Sequence, residues 1–183
     1  PYLEDLKNKV ILCLKALDCV RHIISRNVEK GLLPNYSKEL MSMKSQYNTI
    51  GIIGIYETLQ KYGLTYKDEF GNTFYSDEGV EFAKKILKTI TDIKNEFVKD
   101  KDYSGNIEEI PAERAAAVLM EKDKFFFPNE TYELPLYGNQ WIPLGIKTTL
   151  KEKIRLSAIL DKACSGGSIA HINLDAPLEN FDT

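Results

Sequence analysis

Between Asn106 and Ala117 the chain reads NIEEIPAERAAA, and no other stretch limits its fold so sharply. Ile107 and Ile110 supply the β-branched positions of a short strand, Pro111 marks a turn, and a helix has to start directly behind it. Proline is tolerated in a first helical turn, where its missing N–H would have had no partner. Glu113 suits the positive end of the helix dipole, and Ala115, Ala116 and Ala117 are the best intrinsic helix formers. A strand passing straight into a helix is the unit of α/β architecture. A helix start with free N–H groups and little side-chain bulk is also a natural anion site. The same junction occurs in α/β proteins that bind nothing there, so the residues alone leave both readings open.

The remaining chain supports the α/β class. Leu3, Leu6, Val10, Leu14, Leu17, Val20, Ile24 and Val28 recur at spacings of three and four, which predicts one amphipathic helix from residue 3 to about 31. Gly31 and Pro34 end it. Cys13 and Cys19 on this helix read as small core or boundary residues, and His22 as structural. Asn48–Ile55 (NTIGIIGI) reads as a strand buried on both faces. Its Gly51 and Gly54 point to close approach by a neighbour or ligand. A helix over 56–62 ends at Gly63, and Thr65–Ser76 predicts a hairpin. Ser76 or Asp77 caps a helix with an inward stripe of Ala83, Ile86, Leu87, Ile90, Ile93 and Phe97. Lys84, Lys85, Lys88 and Lys94 form its solvated side. The helix from Ala112 should run to about Lys122, followed by a loop.

YGNQWIPL at 137–144 reads as extended, with Trp141 as a core anchor. Thr148 is expected to cap a last helix carrying Leu150, Ile154 and Ile159. Ser168–Leu174 then reads as a strand. Ala170, Ile172 and Leu174 make one apolar face, while Ile169, His171 and Asn173 make a more polar one. That pattern fits the wall of an enzyme cavity and equally an edge strand half in water. Four strands in 183 residues make a half-barrel or a small open sheet.

Charge and cysteine usage exclude several classes. A net charge of −3 gives no nucleic-acid surface. No apolar run approaches the roughly 20 residues of a membrane span, and no signal-peptide pattern is present. Cys13, Cys19 and Cys164 lack any Cys-x-x-Cys spacing, which argues against a disulfide framework and a zinc site and makes the cytoplasm the expected compartment.

Five segments fall in the order, and at about the spacing, of one family: TIGIIGIYETLQKYG at 49–63, FGNTFYSDEG at 70–79, NIEEIPAERAAAVLMEKDK at 106–124, YGNQWIPL at 137–144 and CSGGSIAHINLD at 164–175. On these the chain resembles the catalytic subunit of the anaerobic, class III ribonucleoside-triphosphate reductases, a branch of the glycyl radical enzymes. The resemblance implies the later half of a ten-stranded α/β barrel of largely parallel strands with flanking helices. It implies conversion of ribonucleoside triphosphates to deoxyribonucleoside triphosphates by radical chemistry, usually with formate as reductant. A glycyl radical, installed by an activating enzyme that uses SAM and an iron–sulfur cluster, oxidises a cysteine on a finger loop. Zinc sits near the radical glycine. ATP and deoxynucleotide effectors bind elsewhere in the family, and the full-length protein is expected to be a homodimer.

The resemblance assigns Pro111, Ala112, Glu113, Arg114, Ala115 and Ala116 to the substrate-phosphate site. Ala115 and Ala116 would offer backbone N–H groups, and Arg114 would add charge if it points inward. Gly166, Gly167, His171 and Asn173 are candidates for lining the barrel. Nothing in the chain matches the ATP-cone, the thiyl-cysteine finger loop or the radical-glycine loop. Residues 1–183 are therefore expected to form a single fragment of the catalytic barrel domain, inactive alone, with no catalytic residue or metal site of its own. Cys164 is not assigned the thiyl role. Two other readings stand beside this one: a non-catalytic nucleotide- or phosphate-binding module, and a structural or assembly fragment whose first helix packs on a partner.

Overall fold

In the computed structural model, which describes residues 1–172, the first helix is α1 (Tyr2–Glu29). Val10 and Leu14 are buried in its inward stripe, and Leu3 and Leu6 are half-buried against the core. Over its second half the stripe thins. Val20 is exposed, and the buried residue there is Arg21. The Arg21 guanidinium lies 4.2 Å from the centroid of the Tyr103 ring. It donates to the backbone oxygens of Gln46, at 3.0 Å, and Met43. Cys13, Cys19 and His22 are exposed rather than at the core or its boundary. The helix packs chiefly on one neighbour, so only one side of it is covered among the described residues.

After the short α2 (Pro34–Ser37), β1 (Asn48–Ile52) pairs in parallel with β4 (Gly105–Glu109), Ile50 opposite Ile107. The expected burial of β1 on both faces does not hold. Asn48, Ile50 and Ile52 are buried against the helices, while Thr49 is half-buried and Gly51 exposed. Gly51 is required by packing, since a Cβ there would overlap the Ile110 side chain. The strand stops two residues before Gly54, whose φ of 81° admits the chain to α3 (Ile55–Lys61).

β2 (Thr65–Lys67) and β3 (Thr73–Tyr75) form the expected antiparallel hairpin. Its turn is built by Asp68, whose Oδ1 accepts from the backbone N–H groups of Phe70 and Asn72. α4 (Asp77–Val98) is capped by Ser76, whose hydroxyl accepts from the Gly79 N–H at 3.0 Å. Its stripe of Ala83, Ile86, Leu87 and Ile90 is buried as predicted. Lys94 departs from the solvated side and is buried, its aliphatic stem lying over Gly105.

α5 (Glu113–Phe126) follows β4, and residues 127–149 form an irregular loop, so YGNQWIPL is a series of bends rather than an extended strand. Trp141 is the core anchor, 4% exposed, its indole N–H donating to Asp161 at 2.6 Å. α6 (Leu150–Leu160) is capped by Thr149, not Thr148. Thr148 instead donates to the Thr73 carbonyl at 2.7 Å. Leu150 and Ile154 are exposed, and the helix buries Glu152, Leu156 and Leu160. A 3-10 turn (Asp161–Ala163) then delivers the chain to β4. There Gly167 forms a single parallel bridge with Glu108, and residues 168–172 carry no regular structure. Asn173 and Leu174, the end of the predicted strand, lie outside the described residues. The whole is mixed α/β with a parallel strand pair, as the alternation of elements predicted.

Candidate functional site

The turn from β4 into α5 differs from expectation in two ways. Pro111 lies before the N-cap rather than within the first turn; the cap is Ala112, whose side chain offers no oxygen. The Ala112 N–H turns back to the Ile110 carbonyl at 2.9 Å. The Ala116 N–H is already spent on the Ala112 carbonyl at 2.8 Å, so Ala116 cannot offer a donor, and its methyl is fully buried. The N–H groups of Glu113, Arg114 and Ala115 have no acceptor among the described residues, and all three residues are exposed. An uncapped helix start concentrates positive potential at those groups. The Arg114 guanidinium has no hydrogen bond or ion pair among the described residues.

This helix start borders a cleft of about 310 Å³ formed by residues 134–136, 138–140 and 143–145 together with Glu113 and His171. The loop is held in place by named contacts. Glu133 accepts from Tyr56 at 3.0 Å, Gln60 at 2.6 Å and Lys67 at 3.1 Å. Burial pushes its carboxyl up, but those three donors outweigh it and hold the group below its ordinary range. Gly138 donates to Glu57 Oε1 and accepts from the Gly54 N–H, each at 2.8 Å. A side chain at Gly138 would run into the Pro143 ring. Asn139 donates to Glu113 Oε1 at 3.1 Å, joining the loop to the helix start. Gln140 Oε1 accepts the His171 N–H at 3.1 Å.

Of the residues singled out from the sequence, Glu113 and His171 therefore meet in one cleft. Gly166 and Gly167 do not line it; they dock on β4. The Gly166 N–H donates to the Ile107 carbonyl at 2.8 Å, and a Cβ at Gly166 would crowd Asn106. Cys164 is buried, and burial, with the carboxylates of Glu109 and Asp161 adding to it, pushes its thiol up to about 12. That environment favours an inert thiol.

Glu57 and Glu109 are buried acids that were not foreseen. Burial raises Glu57, against the hydrogen bond from Gly138. Burial likewise pushes Glu109 up to about 8, with the Asp161 charge adding to it and the backbone N–H groups of Ile169 and Trp141 opposing it. The signal for Glu109 was present, because alternation in NIEEI puts it on the same inward face as Ile107.

The whole chain, residues 1–183, matches the family described as anaerobic ribonucleoside-triphosphate reductase. No curated protein matches. Among solved structures it is similar to the anaerobic ribonucleotide reductase from Thermotoga maritima with dATP bound in the specificity site, at 40% identity and a TM-score of 0.89 over 95% of this chain. It is similar to the same enzyme in complex with dATP and CTP at 40% identity, with a TM-score of 0.88 over 97% of this chain. A further structure titled anaerobic ribonucleotide reductase matches at 39% identity, with a TM-score of 0.90 over 98% of this chain. The chain spans 29%, 29% and 28% of those three, respectively.

Proposed function

This chain belongs to the anaerobic ribonucleoside-triphosphate reductase family, and from that premise we propose that it forms the substrate-phosphate part of the reductase's catalytic barrel. β1 and β4 are adjacent parallel strands of the later half of the ten-stranded barrel, with the segment bridged to β4 at Gly167 beside them, and residues 1–183 are a single fragment of that domain. The support is their one-sided burial: helices cover Ile50, Ile52 and Ile107, while Thr49, Gly51, Asn106 and Glu108 face a half-open side. That side is the barrel interior in this reading.

The substrate is a ribonucleoside triphosphate, reduced to the deoxyribonucleotide. The observation that carries the assignment is the uncapped α5 start, whose Glu113, Arg114 and Ala115 N–H groups have no acceptor among the described residues and whose Glu113 lines the cleft. Those groups hold the phosphates, Arg114 adds positive charge, and the Asn139–Glu113 bond fixes the helix start against the cleft wall. Gly166 and Gly167 act by bringing the chain close to β4, and His171 and Gln140 shape the cleft. The glycyl radical supplies the hydrogen-abstraction chemistry in the whole enzyme, with formate as reductant, an activating enzyme that uses SAM, and zinc near the radical. In this reading the segment's contribution is binding and orientation. The assembled enzyme is a cytoplasmic homodimer whose ATP and deoxynucleotide effector sites lie on other segments.

Calorimetric titration with a ribonucleoside triphosphate and with inorganic triphosphate tests the site. Ala115→Glu places a carboxylate on an exposed first-turn position and is expected to weaken both ligands about tenfold. Glu113→Gln removes a carboxylate from the same end, keeps an oxygen for Asn139, and is expected to strengthen both. Affinities unchanged by either substitution would move the phosphate site elsewhere.

A further inference from the structure

Both walls of the cleft hang from buried carboxyl groups. Glu57 is 9% exposed; its Oε1 accepts the Gly138 N–H at 2.8 Å, while its Oε2 is enclosed with no hydrogen-bond partner among the described residues. Glu109 is 2% exposed; its Oε2 accepts the Ile169 N–H at 3.0 Å, while its Oε1 is enclosed with no hydrogen-bond partner among the described residues. Gly138 belongs to one wall. Ile169 precedes by two residues His171, which belongs to the other and bonds to Gln140 at 3.1 Å. The two walls are thus each tied to one acid and then to each other.

We propose that Glu57 and Glu109 are positioning residues for this cleft: each holds one wall through a backbone hydrogen bond, Glu57 to Gly138 and Glu109 to Ile169, and the grip on triphosphate depends on both. A carboxylate with one bare, enclosed oxygen is a costly way to satisfy one backbone donor. A carboxylic acid is cheaper, because the bare oxygen then carries the proton and the other still accepts. Of the groups facing Glu109, the Asp161 charge from the 3-10 turn favours this form and the backbone N–H groups of Ile169 and Trp141 favour the carboxylate; the Cys164 thiol and Tyr75 from β3 lie close by. Tyr56, Tyr75 and Tyr137 face Glu57. Burial raises both acids, Glu109 to about 8. Ionisation at alkaline pH would put charge on an oxygen with no donor, and the wall it holds would loosen.

The part of the proposal concerning triphosphate rests on the reading of the cleft as the substrate site, and the test separates the two. Amide hydrogen exchange on the 183-residue chain reads the walls directly, with Leu87 in α4 as a distant reference. Glu109→Ala is expected to speed exchange at Ile169 and His171 at least about tenfold and leave Leu87 unchanged, and Glu57→Ala to do the same at Gly138. Glu109→Gln and Glu57→Gln keep the accepting oxygen and should stay within about twofold of the parent. Between pH 6 and 9, exchange at Ile169 in the parent should rise beyond the intrinsic base-catalysed increase, and in Glu109→Gln it should not. A passive structural role would give no such difference, and this arm does not need the alanine variants to fold. Triphosphate affinity should fall in the alanine variants and hold in the glutamine ones at neutral pH. Walls that stay protected in the alanine variants, or a parent and Glu109→Gln with the same pH response, overturn the positioning role. Loosened walls in a chain that binds no triphosphate in any form would overturn the substrate reading and leave the positioning role standing.

Discussion

Gly51 shows how much one missing side chain fixes. It lies on the half-open face of β1, and a methyl there would overlap Ile110. Gly51→Ala is expected to cost about 1–3 kcal/mol through overpacking, with Ile110→Val in the same chain recovering part of it; urea midpoints measure both. The glycine was legible as a close-approach position, but what approaches it was not, because Ile110 arrives from a strand more than fifty residues away. Glu109 carries a second expectation. Its folded pKa of about 8 lies above the roughly 4.3 of an unfolded glutamate. The fold therefore keeps a proton that the unfolded chain has lost, and stability falls as pH rises from about 4 to about 8, then levels. Glu109→Gln should flatten that decline, so its melting temperature gains on the parent between pH 5 and pH 8. Alternation placed Glu109 inward, yet only the packed loops show that Ile169 donates to its Oε2 and that Oε1 has no hydrogen-bond partner among the described residues.

At the scale of elements, local chemistry was readable and the choice between adjacent candidates was not. Ser76 and Asp77 both present plausible caps for α4, and for α6 Thr148 is expected where its neighbour Thr149 caps. The outcome depends on which oxygen reaches the first-turn N–H groups, and Thr148 is diverted by Thr73 in the hairpin. Thr149→Ala and Ser76→Ala are each expected to cost about 1 kcal/mol of stability. Thr148→Ala should leave the cap of α6 intact and instead loosen β3, seen as faster amide exchange at Thr73 and Tyr75. The 127–149 loop was the least legible element. It has no period to read, and its shape is set by Glu57, Gln60, Lys67 and Asp161, which belong to other elements. The two acids that hold the cleft walls escaped notice for the same reason, since a residue's role as a loop anchor appears only when the loop arrives.

For the whole molecule, alternation of strands and helices was enough for the class, and the quoted segments were enough for the family. Which side of the strands is covered was not legible, because NTIGIIGI is apolar at nearly every position and hides a one-sided strand. The half-open face carries the argument about activity. In the proposed barrel, a triphosphate held at α5 would direct its ribose over that face, where the family's radical chemistry would require a thiyl cysteine and a radical glycine. None of this chain's cysteines suits the first role: Cys164 is buried as a high-pKa thiol, and Cys13 and Cys19 are on α1, away from the cleft-lining residues. The chain also spans 29% of the Thermotoga maritima enzyme with dATP bound. We therefore expect the 183-residue chain to bind triphosphate yet form no deoxyribonucleotide when supplied anaerobically with an activating enzyme, SAM, a reductant and formate. The full reductase polypeptide that carries this segment should turn over under the same conditions and lose affinity with Ala115→Glu. Product from the short chain would mean that a cysteine and a glycine within it do the radical work, and Cys164→Ser would then be the first variant to make. Binding without product places this segment on the substrate side of a reaction completed by residues on another part of the barrel.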